Sequence, residues 1–146
     1  MRNDITQQIG VGLVVNPYFF FFGASPDRLV KIDEELVLVE VKCPYNPYIR
    51  KVSLKTVFKE KDFYVNYDDE KKPFLKPNHH YYAQIQGQMA ATNLQKTLLV
   101  VFIPPADLEV IEVLRNESFI EEMVTKLHQI YVKNLGPYFV REKLQQ

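Results

Sequence analysis

The run Glu35-Leu36-Val37-Leu38-Val39-Glu40-Val41-Lys42 limits what this chain can become more than any other stretch. Its middle is continuously apolar, which reads as a central strand covered on both faces. Side chains alternate along a strand, so Leu36, Leu38, Glu40 and Lys42 share one face and Val37, Val39 and Val41 the other. A carboxylate and an ammonium therefore end a face that begins as core. Burying either is costly unless it is paired or holds a cation. A lone Glu-x-Lys at a strand end is ordinarily an ion pair, and that reading stands until other residues bear on it.

Ser25-Pro26-Asp27 bears on it. Asp27 precedes Glu40 by 13 positions. Residues 25–33 and 35–43 are predicted as two strands joined by a tight polar turn at Asp33-Glu34. Antiparallel pairing brings Asp27 beside Glu40. Two converging carboxylates repel unless a cation lies between them. Ligation by oxygen alone favours magnesium or manganese over zinc. Lys42 is then placed to orient or deprotonate a water, or to stabilise charge on a phosphate.

A third polar group lies downstream. Asn78 is predicted to cap a helix running to about Thr92. On it Tyr81, Gln84 and Gln88 follow one face, while Tyr82, Ile85 and Met89 suit the core. Gln84 and Gln88 can donate amide hydrogens to phosphates or a water, or form a solvated face. His79 and His80 point about 100° apart on a helix, which argues against a shared zinc.

Asp27 followed by Glu40-Val41-Lys42 resembles the PD-(D/E)XK nuclease superfamily. Gly12-Leu13-Val14-Val15-Asn16-Pro17, Phe22-Gly23-Ala24-Ser25-Pro26-Asp27, Lys42-Cys43-Pro44 and Tyr81-Tyr82-Ala83-Gln84-Ile85-Gln86-Gly87-Gln88-Met89 are similar to its lambda-exonuclease-like, YqaJ-type viral recombinase branch. The resemblance implies a restriction-endonuclease-like α/β fold, a mixed central sheet flanked by helices. It implies an exonuclease on double-stranded DNA ends, 5′ to 3′, using Mg2+ or Mn2+, and often a ring-shaped trimer. Asp27, Glu40 and the Val41 carbonyl match its metal ligands, Lys42 its catalytic lysine, and Gln84 and Gln86 its helix glutamines, the first near the site. The expected DNA contacts are Ser25, Arg28, Tyr81, Gln86, Gln88, Arg50 and Lys51. Two departures stand out. Arg28 replaces the usual glycine, which would strain a turn needing positive φ but suits a phosphate. The family's N-terminal helix with a further acid has no match, only Asp4 preceding Gly12. Residues 1–146 thus read as one nuclease domain lacking that helical part. The alternative is a catalytically impaired DNA-binding or protein-interaction module.

Composition agrees with one domain built around one core. One cysteine, Cys43, excludes an internal disulfide and suits an intracellular setting, nuclear if the source is eukaryotic. No apolar run approaches 18 residues, so no membrane span is expected. Net charge is zero, yet Arg50, Lys51, Lys55, Lys59 and Lys61 cluster while Glu109, Glu112, Glu117, Glu121 and Glu122 gather later, giving a basic and an acidic side. Further expectations are a strand over 9–16, Phe19–Phe22 packed in the core, and a helix over 52–60. An edge hairpin is expected at 63–67 and 73–75, and strands at Lys96–Ile103 and Leu108–Leu114. A last helix over 117–134 would turn Phe119, Met123, Leu127 and Ile130 inward and stop near Gly136-Pro137.

Overall fold

The computed structural model describes residues 5–144; Asp4 lies outside them. In chain order the elements are β1 (Ile5–Ile9), β2 (Val14–Val15), a 3-10 turn (Pro17–Phe19), β3 (Gly23–Ala24), β4 (Arg28–Ile32), β5 (Glu35–Lys42), α1 (Tyr45–Arg50), α2 (Leu54–Val57), β6 (Val65–Tyr67), β7 (Pro73–Leu75), α3 (His80–Thr92), β8 (Lys96–Ile103), β9 (Asp107–Leu114), α4 (Glu117–Ile130), a π-helical turn (Tyr131–Leu135) and α5 (Gly136–Leu144). Five strands form one sheet in the order β1-β4-β5-β8-β9. All neighbours are antiparallel except β5 and β8, which run parallel. A parallel pair needs a long crossover, and the connection from Lys42 to Lys96 supplies it, with α3 as its helix. The result is the expected mixed sheet with helices.

Asp33 and Glu34, at φ 47° and 70°, form the two-residue turn between β4 and β5. Both central residues at positive φ match the twist of a right-handed hairpin. That turn fixes the register, pairing Ile32 with Glu35 and Arg28 with Val39. On the inner face, Leu38, Leu99, Val101, Ile111 and Val113 join Tyr82, Ile85 and Met89 of α3 in the core. Full burial of each aliphatic side chain contributes about 1.5–3 kcal/mol, so this seam anchors α3 above the end of β5.

The second face of β5 is less covered than its sequence suggests. Val37 is buried, but Val41 at the strand's end is exposed. The strand expected over 9–16 is only Val14–Val15, paired to Gly23–Ala24, and Ile5–Ile9 joins the main sheet instead. Glycine suits this close approach: a Cβ at Gly23 would lie 2.8 Å from the end of the exposed Leu13 side chain and 3.2 Å from the Val14 carbonyl oxygen, so both would have to shift slightly. Asn16 Nδ2 donates to the Ala90 carbonyl at 3.2 Å, pinning this hairpin over α3.

The hairpin β6–β7 forms, but as a separate two-stranded sheet. Phe19–Phe22 stay out of the main core; Phe20 is exposed, and Phe20 and Phe21 meet Tyr131. Asn78 does not cap α3. His79 does, its Nδ1 accepting from the Tyr81 amide at 3.2 Å. The last helix does not stop at Gly136-Pro137: the π turn shifts the hydrogen bonding and α5 continues, which absorbs a proline that lacks an N–H. Ile130 is exposed on that arm. Among the described residues no helix is long and apolar enough to cross a membrane.

Candidate functional site

The register of β4 and β5 places Asp27, just before Arg28, opposite Glu40. Pro26 is buried and fixes the chain there. Asp27 Oδ2 accepts the Val41 amide at 2.8 Å. Its Oδ1 accepts no hydrogen bond among the described residues. Arg28 sits in a strand at ordinary φ, so the missing glycine costs no strain. Its guanidinium donates to the Asp27 carbonyl at 2.6 Å and stays exposed.

Glu40 is only 3% exposed, on the face where core was expected. Three side chains meet its carboxylate. Lys42 Nζ lies 2.5 Å from Oε1, Gln84 Nε2 2.7 Å from Oε1, and Gln88 Nε2 2.8 Å from Oε2. Lys42 also donates to Gln84 Oε1 at 3.2 Å and sits 4.4 Å from the centre of the Tyr81 ring, within reach of a cation–π attraction. The i, i+4 spacing of Gln84 and Gln88 stacks both amides on the side of α3 that faces β5. The carboxylate is thus clamped from two elements before any ligand arrives.

Five predicted residues, Glu40, Lys42, Gln84, Gln88 and Tyr81, share one constellation, and Asp27 and Val41 adjoin it. Two predicted DNA contacts do not face solvent. Gln86 is fully buried on the opposite side of α3, donating to the Leu114 carbonyl and accepting the Asn116 amide, both at 2.9 Å. Gln88 is 2% exposed and spent on Glu40. Neither can meet a phosphate at the surface. Ser25 is exposed and lines a cleft of about 350 Å³ with Gln84 and Gln88. Arg50 and Lys51 are exposed at the end of α1, where one Arg50 nitrogen contacts both Glu60 oxygens at 2.8 and 3.0 Å.

The donor set fits a hard divalent cation. Asp27, just before β4, and Glu40 of β5 offer carboxylate oxygens, and Asp27 Oδ1 accepts no hydrogen bond among the described residues. Among the described residues no three His, Cys, Asp or Glu side chains converge. A cation held by two carboxylates would complete its shell with waters or phosphate oxygens.

Sequence reasoning missed a larger cleft, about 760 Å³, that opens directly from Lys42. Tyr45, Phe63, Tyr64 and Tyr81 line it. The available signal was the aromatic Tyr45 three residues after Lys42, on a helix hidden by Pro44 and Pro47.

The YqaJ-like viral recombinase domain family matches residues 1–95. No curated protein matches the sequence. Among solved structures, LHK-Exo in complex with dAMP is similar at 25% identity and TM-score 0.66. The alkaline exonuclease LHK-Exo from Laribacter hongkongensis is similar at 24% identity and TM-score 0.64. Each match covers 95% of this chain and 63% of the exonuclease, so the chain spans less than two thirds of that protein's length.

Proposed function

The chain belongs to the YqaJ-like viral recombinase domain family, within the lambda-exonuclease-like PD-(D/E)XK nucleases, and from that premise we propose a metal-dependent DNA exonuclease working 5′ to 3′ from duplex ends. One observation carries the reading: a nearly inaccessible carboxylate, Glu40, is held by an ammonium and two amides beside a second carboxylate, Asp27. A structural ion pair buried this deeply would also need hydrogen bonds to its remaining lone pairs; a second carboxylate alongside, which repels it, is what such a pair has no use for.

In this reading Asp27, Glu40 and the Val41 carbonyl hold Mg2+ or Mn2+. When bound, the cation activates water and offsets charge that develops on the phosphate. The chain's own residues do the rest. Gln84 and Gln88 fix the orientation of Glu40 through separate oxygens. The Val41 amide fixes Asp27. Lys42 keeps ammonium hydrogens at the mouth of the site, where they orient the attacking water or a non-bridging phosphate oxygen. Tyr81 supports that ammonium from its ring face. Ser25, Arg28, Arg50 and Lys51 are the exposed groups left to contact the DNA backbone, and such contacts position rather than specify.

The test uses linear duplex DNA labelled at the 5′ or the 3′ end, and closed circular duplex. Each is incubated with magnesium, manganese or EDTA, beside Glu40→Gln. The expected result is metal-dependent release of the 5′ label as mononucleotide, with the circle intact and the variant inactive. Cleavage in EDTA, or equal cleavage by Glu40→Gln, overturns the reading.

A further inference from the structure

A cleft of about 760 Å³ opens beside Lys42 and Tyr81 and extends past the residues that meet Glu40. Its wall is aromatic. Phe63 and Tyr64 stack at 4.2 Å, and Tyr64 meets Tyr81 edge-on at 5.0 Å. Tyr45 stands 71% exposed at the start of α1. Pro44 precedes it as the cap and Pro47 lies in the first turn, which stiffens the segment that presents the ring.

The charges of the cleft cancel. Lys42 and Arg50 are its cations, Glu60 and Asp62 its anions, and Arg50 is already held by Glu60. A groove that tracks phosphates needs a surplus of positive charge. Here Lys42, itself paired with Glu40, stands at the head of the cleft, and flat apolar faces lie beyond it. That pattern fits one phosphate at Lys42 and a neutral ring in the cleft.

One polar atom points the same way. Tyr64 is more than nine-tenths buried, and its hydroxyl has no hydrogen-bond partner among the described residues. Burial foremost, then nearby Tyr81 and Cys43, raises its pKa far above the usual phenol range, so it remains a donor. A buried hydroxyl without a partner is costly, and a base carbonyl or ring nitrogen would satisfy it.

We propose that this cleft receives the base of an unpaired nucleotide next to the phosphate at Lys42, stacked against Tyr45 and Phe63 and hydrogen-bonded by Tyr64. The assignment rests on the nuclease reading for its placement of the phosphate. Stacking is tolerant of sequence because every base has a π face, so the cleft grips a frayed strand without choosing bases.

The experiment measures binding in EDTA, where no cleavage is needed. The probes are an oligothymidylate of about eight residues and an abasic oligomer of equal length and charge. The wild-type protein should bind the thymidylate about tenfold more tightly. Tyr45→Ala, at an exposed position that folding does not need, should remove most of that difference while leaving the abasic affinity unchanged. Tyr64→Phe keeps the ring and should lose a few-fold for thymidylate alone. Equal affinity of the wild type for both oligomers overturns the proposal, as does an undiminished difference in Tyr45→Ala. Metal-dependent cleavage without base-dependent binding would sink the cleft and leave the nuclease; the reverse would sink the nuclease and leave the cleft.

Discussion

Helix α3 sends glutamines into two buried polar clusters on opposite sides. Behind it, Gln86 closes on backbone groups of Leu114 and Asn116. Arg115 donates from the same joint to the Met89 carbonyl at 2.6 Å, and Asn116 caps α4 through the Phe119 amide at 3.1 Å. Both polar atoms of the Gln86 amide are satisfied. In front, Gln84 and Gln88 end on the Glu40 carboxylate, and Gln88 Oε1 has no partner among the described residues. The rear cluster closes upon itself and holds α3 to β9 and α4. The front cluster gathers donors around one anion, beside Asp27 Oδ1, and stays incomplete. Buried amides that satisfy backbone serve stability. Amides that converge on a buried carboxylate, one from the surface and one from the interior, prepare it for a ligand.

That contrast can be broken most sharply at Lys42. Lys42→Met keeps the apolar stem but removes the charge. Initial rates of end-label release should fall about 10²–10⁴-fold, the range for losing a proton-handling group. The substitution also strips the buried Glu40 carboxylate of its ammonium partner, so the urea midpoint should fall as well, and the rate is therefore read per folded molecule. Retained cleavage would make the front cluster as structural as the rear one.

Gln86→Leu is the opposite experiment. It strands the Leu114 carbonyl and the Asn116 amide in the interior, at about 2–4 kcal/mol in total. Equilibrium urea unfolding should show that loss, while the rate per folded molecule stays within about twofold. A large activity loss without destabilisation would erase the distinction between the two sides.

Gln88→Leu sharpens it further. Supporting residues around ligating groups typically cost 10–100-fold in affinity or activity when removed. Metal affinity by calorimetry and initial rates should both fall in that range. Stability should change by less than about 1 kcal/mol, because Gln88 already carries an unpartnered oxygen that leucine lacks. Destabilisation matching that of Gln86→Leu would mean that both glutamines do one job.

The front cluster was largely legible because its signals are local. Glu40 and Lys42 interrupt an apolar strand at alternate positions, and Asp33-Glu34 sets the hairpin that brings Asp27 across. The Lys96–Ile103 strand announces itself by continuous apolar residues and a Pro-Pro stop. The rear cluster was not legible. A glutamine facing a distant carbonyl has the same period and polarity as one facing water, and only the path of β9 into α4 decides. Helix α1 was hidden because Pro44 and Pro47 read as breakers, yet both lie where a helix needs no amide hydrogen. The Gly136-Pro137 stop failed because a π turn precedes it, which the apolar pattern does not encode.

The smallest effect concerns the end of α3 that both clusters share. His79 caps the helix by accepting the Tyr81 amide on Nδ1, which requires the neutral ring. Burial first, then nearby His80 and Lys76, lowers its pKa from 6.5. In the window below about pH 6.5 the unfolded chain therefore binds the proton more readily than the folded one. The contribution is complete above that value and is lost as pH falls toward the folded pKa. His79→Asn keeps a capping acceptor and removes the titration. Its stability at about pH 7.5 should lie within about 0.5 kcal/mol of wild type, and urea unfolding should decline less toward about pH 5.5 than wild type does. The first turn carries Tyr81 and leads directly to Gln84, about half a turn before the joint at Gln86 tightens. Acid should thus lower metal affinity in the wild type before it lowers the melting temperature, and His79→Asn should bring the two losses closer together. A wild-type protein whose two losses coincide would show that α3 responds as one rigid body and that its front and rear clusters are coupled.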